Sequence, residues 1–260
     1  IDSAEPMYEK DIDATALWNK IIHNAWKSAE PGCLFWDTVL RESIPDCYAD
    51  EGFRTVSTNP CGEIPLCPYD SCRLLAINLY SYVEDPFTPK AKFNFGKFQD
   101  HIERAMRMMD DIIDLELEKI DAIHSKIGKD PEELDIRRVE LSLWEKIREK
   151  AVKGRRTGLG ITAEGDMLAA LGYTYGTEEA IDFAVEIQKQ LCLGAYRASV
   201  KMARERGAFP MYDTLKEENN PMIRRIREAD PQLYEDMVRY GRRNIAMLTI
   251  APTGTVSLMS

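Results

Sequence analysis

The run Asn59-Pro60-Cys61-Gly62-Glu63 constrains this chain more than any other segment. Proline fixes φ and removes a backbone donor, and the glycine two residues on frees the chain to turn, so neither helix nor strand passes through it. What remains is a shaped loop. Alternate residues of an extended segment point the same way, so Asn59, Cys61 and Glu63 can converge on one ligand. They offer an amide that orients a hydroxyl, a thiol that acts as nucleophile or radical carrier, and a carboxylate that takes a proton. No histidine stands beside Cys61 to make a thiolate by ion pairing, which argues against cysteine-protease chemistry. A buried structural cysteine in a turn is the competing reading.

The chain has 6 cysteines: Cys33, Cys47, Cys61, Cys67, Cys72 and Cys192. At 260 residues this density does not suit a disulfide-built secreted domain. The spacing C-x5-C-x4-C from Cys61 to Cys72 is not the short pairing of structural zinc sites. His23, His101 and His124 are far apart, so no metal is expected to be bound directly by this segment. Cys72 is a candidate for the sulfur that meets an oxidised product or a partner thiol. Its competing reading is a small buried hydrophobe, and spacing leaves Cys67 open for the same redox role.

Hydrophobic periodicity lays out the rest. Asp13 caps an expected helix with the stripe Ala14, Leu17, Trp18, Ile21, Ile22 and Trp26, ended by Glu30-Pro31-Gly32. Cys33–Trp36 reads as a short buried strand, residues 40–58 as irregular, and Leu74–Tyr80 as a brief strand. Helices are expected over Phe95–Leu117 and Val139–Val152, with a charged, exposed stretch at 119–135 between them. Arg155–Ile161 reads as a turn or strand feeding a short helix near Gly165–Leu171. Thr177 opens a helix to about Arg206, two short helices fill 220–240, and Ile245–Ile250 is an expected strand. Strands alternating with helices give a helix-rich α/β layout in a single domain, residues 1–260.

That last strand runs into Pro252-Thr253-Gly254-Thr255-Val256-Ser257. A strand ending in small and hydroxyl residues before a helix presents amide N–H groups to an anion, with Gly254 allowing close approach and Thr253, Thr255 and Ser257 adding hydroxyls. A plain capping turn competes with this reading. The P-loop pattern is absent, and Gly158-Leu159-Gly160 lacks the third glycine of a dinucleotide fingerprint. A net charge of −10 argues against a general nucleic-acid or anionic-membrane surface, though not against one small phosphorylated ligand. No apolar run is long enough for a spanning helix and no signal peptide opens the chain, so a cytoplasmic location is expected. The start at Ile1 and the stop at Ser260 both read as cut edges.

The string N-P-C-G-E-I-P-L resembles the finger-loop motif of ribonucleotide reductase large subunits, with Pro60 and Gly62 similar to the adenosylcobalamin-dependent class II branch. P-Y-D-S-C-R-L-L-A-I-N-L resembles the stretch that carries a reducing cysteine, although family members often have Asn-Leu-Gly in place of Arg73-Leu74-Leu75. A-W-K-S-A-E-P-G-C-L-F-W-D, R-R-T-G-L-G-I-T-A-E-G-D-M-L and A-P-T-G-T-V-S continue the likeness, in order, over nearly the whole chain.

The resemblance implies a ten-stranded α/β barrel with the cysteine loop threaded through its centre, of which this chain is a part truncated at both ends. It implies reduction of ribonucleotides to 2′-deoxyribonucleotides, supplying DNA precursors. Cys61 would hold a transient thiyl radical that abstracts the ribose 3′-hydrogen. Glu63 would act as base toward the 3′-hydroxyl, and Asn59 would hold the substrate hydroxyls. Cys72 would be one of two reducing thiols, and Thr253, Gly254, Thr255 and Ser257 would hold the phosphates. The implied cofactor is adenosylcobalamin, and the implied partners are a ribonucleoside di- or triphosphate and a thioredoxin-like reductant, with a homodimer compatible. The second reducing cysteine, the effector loops and the cysteine tail are expected outside this segment, which is therefore expected to be inactive alone. A class I enzyme requiring a radical-generating small subunit, or a non-catalytic nucleotide-binding paralogue, are the alternatives.

Overall fold

A computed structural model describes residues 7–71 and 73–259. It divides into two compact units, Ile1–Val39 and Leu40–Ser260. In the first, α1 (Ala14–Ser28) starts where Asp13 accepts hydrogen bonds from the N–H groups of Thr15 at 2.8 Å and Ala16 at 3.1 Å. The strand expected at Cys33–Trp36 does not form; Trp36 instead opens α2 (Trp36–Glu42). A short apolar run does not separate strand from buried helix by itself, and Asp37 in the first turn with Arg41 in the last suits the helix dipole.

In the second unit, residues 40–58 are more ordered than their polarity suggests, with a 3₁₀ helix over Pro45–Glu51. A hairpin follows, β1 (Ser57–Thr58) antiparallel to β2 (Pro65–Leu66), and the constrained loop forms its tip. β3 (Leu75–Asn78) runs into a 3₁₀ turn and a small antiparallel pair, β4 (Val83–Glu84) with β5 (Lys92–Phe93).

Asn94 then caps α3 (Phe95–Ile127), its side chain accepting from the Lys97 N–H at 2.8 Å. α3 runs ten residues beyond its expected end at Leu117, because Ile113, Ile120 and Ile127 continue one buried stripe beneath a charged exterior. α4 (Leu134–Gly154) packs antiparallel to it, with Arg148 on Asp121 at 2.8 Å and the following Arg155 on Asp110 at 2.7 Å.

The chain returns as β6 (Leu159–Thr162), parallel to β3 in the register Leu75↔Leu159 through Asn78↔Thr162. Next come α5 (Glu164–Leu171) and α6 (Glu178–Arg206), the latter capped by Thr177 as expected. After α7 (Thr214–Glu217), the two short helices are α8 (Pro221–Ala229) and α9 (Pro231–Tyr240), each with proline in its first turn. The strand expected at Ile245–Ile250 is reduced to one parallel bridge, Leu159↔Leu248. Its ladder is nonetheless continuous: Leu159 N–H donates to Met247 O at 2.8 Å, and Thr249 N–H donates to Leu159 O at 3.0 Å. Among the described residues no closed barrel forms; the named strands pair two by two and helices dominate.

The main core lies where Phe98, Ile102, Met106 and Met109 of α3 meet Ile187, Leu191 and Ala195 of α6, with Leu159 and Ile161 beneath. A second, smaller core of Tyr48, Phe53, Cys67, Phe209 and Ile245 includes the residue just after β2. Both cores hold the hairpin and the β3–β6 pair in place, and between those two elements the chain leaves an opening.

Candidate active site

That opening is a cavity of about 330 Å³. Asn59, Cys61 and Glu63 of the hairpin loop line one side, and Thr253 and Thr255 of the carboxy-terminal turn line another. Leu75 and Ala76 of β3 with Gly160 and Ile161 of β6 form the apolar floor. Five residues singled out from the sequence, drawn from segments nearly two hundred positions apart, thus share one space.

The loop is built from its own backbone. Asn59 N–H donates to Ile64 O at 3.2 Å, and Gly62 N–H donates to Asn59 O at 3.0 Å, a turn that Gly62 completes at φ +81°. The Asn59 amide oxygen accepts from the Ile64 N–H at 3.0 Å. Its oxygen therefore shapes the loop, and its NH₂ is the part that a ligand hydroxyl can meet. Cys61 is exposed. Glu63 is half-buried, and its Oε2 is enclosed without a hydrogen-bond partner among the described residues. An enclosed carboxylate oxygen with nothing to accept from costs free energy, so this one is suited to a ligand donor.

The carboxy-terminal turn is more self-contained than the sequence suggests. Thr253 N–H donates to Ala251 O at 2.9 Å, Gly254 N–H to Pro252 O, and Ser257 N–H to Thr253 O at 2.8 Å. The Ser257 hydroxyl donates to Gly254 O at 2.8 Å. Gly254 and Ser257 shape the turn, whereas Thr253 and Thr255 reach the cavity. The helix expected to follow is, within the described residues, a 3₁₀ turn over Val256–Leu258.

Cys72 lies outside the described residues. The flanking chain is held by buried ion pairs: Arg156 donates to Asp70 at 2.6 Å, and Arg73 pairs with Glu116 and donates to Arg156 O at 2.8 Å. Cys67 is buried and donates to Asp70 Oδ2 at 3.6 Å. Burial, and then the Asp70 charge, push its thiol up to about 12. So protonated a thiol is a poor partner in exchange near neutrality, which weakens the redox alternative at Cys67.

Two features went unread in the sequence. Gly158 and Gly160, dismissed as a failed fingerprint, are sites of close approach. A methyl on Gly160 would collide with the Thr249 carbonyl oxygen, and one on Gly158 would lie 2.5 Å from the Arg73 carbonyl oxygen and 2.9 Å from Thr249 Cγ2. Thr249 itself donates its hydroxyl to Glu63 O at 3.1 Å, tying the loop to the far strand. The adjacent glycines were the only signal of either. Among the described residues, no group of His, Cys, Asp or Glu is arranged to hold a metal ion, and no helix is long and apolar enough to cross a membrane.

A sequence profile of the family described as "Ribonucleotide reductase, barrel domain" matches residues 2–260. The chain is 31% identical over 251 residues to a vitamin B12-dependent ribonucleoside-diphosphate reductase of Thermoplasma acidophilum, covering 96% of this chain and 26% of that protein. It is 30% identical over 250 residues to the protein of the same name from Mycobacterium tuberculosis, covering 96% and 28%. In three dimensions it is similar to the alpha subunit of the Actinobacillus ureae class Id ribonucleotide reductase, with TM-score 0.62 at 20% identity over 94% of this chain and 37% of that one. The chain spans about a quarter of the length of the curated relatives it matches.

Proposed function

The chain belongs to the ribonucleotide reductase barrel-domain family, and from that membership we propose that the full-length protein reduces ribonucleotides to 2′-deoxyribonucleotides at the cavity around Cys61. The observation that carries this reading is the meeting of an exposed thiol, an unpartnered enclosed carboxylate oxygen, an amide NH₂ and two threonines around one nucleoside-sized space.

In this mechanism the Cys61 sulfur, as a thiyl radical, takes the ribose 3′-hydrogen. Glu63 accepts the 3′-hydroxyl proton through the oxygen that is otherwise unpartnered and assists departure of the 2′-hydroxyl as water. Asn59 orients the hydroxyls through its NH₂, while Thr253, Thr255 and their turn hold the phosphates. Cys72 supplies one of the two thiols that reduce the intermediate, recharged by a thioredoxin-like reductant. Leu75, Ala76 and Ile161 give the cavity an apolar floor.

Adenosylcobalamin is the proposed cofactor, supported by the names of the two relatives at 31% and 30% identity. When bound, it supplies the carbon-centred radical that oxidises the thiol. The residues present suit this, since Cys61 is the exposed thiol on which that radical would act. The likeness in fold and the parallel order β3–β6–Leu248 support a place for these strands in a ten-stranded barrel around the loop. A cytoplasmic homodimer acting on di- or triphosphates completes the proposal.

The test is Cys61→Ser in the full-length protein. Cobalamin-dependent turnover and 3′-hydrogen exchange should vanish, with nucleotide affinity changed by no more than about threefold. Retained turnover would overturn the reading. Equal activity of the wild-type protein without cobalamin would overturn the cofactor alone.

A further inference from the structure

Thr249 lines the cavity and links the hairpin loop to β6. Its hydroxyl donates to Glu63 O at 3.1 Å, its N–H donates to Leu159 O at 3.0 Å, and its side chain is 7% exposed. Its Cγ2 packs over Gly158, where a methyl would come within 2.9 Å, and its carbonyl lies over Gly160 closely enough to exclude any side chain there. The chain then enters the turn that carries Thr253 and Thr255 just four residues later.

This packing fixes the rotamer. A β-branched side chain is restricted at χ1, and the methyl here packs beside Gly158, where a side chain would also meet the Arg73 carbonyl. With the methyl seated, the hydroxyl has one direction left, toward the Glu63 carbonyl. The hairpin has short strands, of two residues each, and such a ribbon is only marginally stable on its own. A bond to the carbonyl of Glu63 therefore acts on the segment that presents both the carboxylate and, two residues earlier, the thiol.

We propose that Thr249 is a positioning residue that sets the loop carrying Cys61 and Glu63 at its working distance from the phosphate-holding turn. The inference rests on the reading of the cavity as a reductase site. Thr249 touches neither hydrogen nor proton in the reaction. It converts the rigidity of the β6 ladder into a fixed gap between thiol and turn, so its effect should fall on the chemical step more than on nucleotide binding.

Valine keeps the branched shape and removes the donor, whereas serine keeps the donor and removes the methyl. In the full-length protein, Thr249→Val should lower kcat about tenfold and leave KM within about twofold, the loss expected for one positioning hydrogen bond. Thr249→Ser should recover kcat to within about threefold of wild type. Full kcat in Thr249→Val, equal losses in the two variants, or a change confined to KM would each overturn the proposal. A second measurement does not depend on turnover: the rate of Cys61 alkylation by iodoacetamide, counted by peptide mass spectrometry, should rise at least about threefold in Thr249→Val as the loop loosens. An unchanged rate overturns the proposal. An inactive wild-type protein sinks the cavity's reductase reading, while the alkylation rate still reports whether Thr249 holds the loop.

Discussion

Asp110 and Glu63 are both acidic groups with carboxylate oxygens shut away from water, and their surroundings are opposite. Asp110 of α3 is fully buried and has a partner on every side. Arg155 donates to it at 2.7 Å and to its backbone carbonyl at 2.9 Å, Arg206 and Arg243 reach it at 3.3 Å, and the Asn244 amide donates at 3.1 Å. Asn244 in turn accepts from Ser199 at 2.9 Å and donates to Arg155 O at 2.9 Å. Glu63 shows one enclosed oxygen with no partner among the described residues, above an open cavity. The first arrangement joins α3, α4, α6 and the approach to the last ladder, and is complete within the chain. The second has an acceptor to spare beside an open space. A buried polar group that is fully satisfied specifies structure, whereas an unpartnered acceptor at a cavity is free to take a ligand donor.

This contrast predicts a division of labour that can be broken by exchanging the amide for the acid. Glu63→Gln in the full-length protein should cut kcat by about 10²- to 10⁴-fold, the range for losing a general base, with its melting temperature unchanged. A large fall in melting temperature with activity retained would put Glu63 on the structural side. Asp110→Ala should do the reverse. Taking the Asp110 carboxylate away from Arg243 and from Arg155, which keeps Asp114 at 2.8 Å, should cost about 3–5 kcal/mol of stability in denaturant unfolding. A loss below about 1 kcal/mol would mean that the arginines relax into water and the cluster is not what holds the helices.

An exposed and a buried thiol sharpen the comparison at a smaller scale. Iodoacetamide near pH 8 should modify exposed Cys61 at least about tenfold faster than Cys67, whose thiol burial and Asp70 hold at about 12. Equal rates would show that the second core opens as readily as the loop. The smallest effect expected is on acid stability. Burial alone would raise the Asp110 carboxyl, but hydrogen bonds and charge from Arg155, followed by Arg243, hold it below its ordinary range. A folded-state value below the unfolded one, about 3.9, gives stability that is present above that pH and drains away as pH falls through the folded value. Unfolding midpoints should therefore drop below about pH 4 in the wild-type protein and drop less steeply in Asp110→Asn. Identical slopes would remove Asp110 from the acid transition.

Five of the residues that line the cavity could be picked out before any coordinates, because each sits in a distinctive local string. Pro60 and Gly62 forced a loop, and hydroxyl residues after an apolar run marked the Thr253–Thr255 turn. Asn59, Cys61 and Glu63 do meet at one cavity, but through a tight turn closed at Gly62 and not through the extended alternation expected. Caps were equally local: Asp13 and Thr177 start α1 and α6 where the sequence placed them. The failures were of two physical kinds. Cys33–Trp36 was too short for its period to be read, and it turned helical at Trp36. The charges of 119–135 concealed a single buried stripe, so α3 outran its expected end and stopped only at Ile127.

By itself, then, the sequence determined the loop at Pro60–Gly62 and the places where most helices begin. All of these follow from backbone stereochemistry and neighbours a few residues apart. Only the tertiary structure decided that the Thr253–Thr255 turn shares a cavity with Cys61, that Gly160 lies against the Thr249 carbonyl and Gly158 against the Arg73 carbonyl, and that Asp110 is fully partnered while one Glu63 oxygen has no partner among the described residues. Those outcomes depend on which distant groups share a buried space, and whether a polar atom there has a partner is a property of the packed chain, not of its local order.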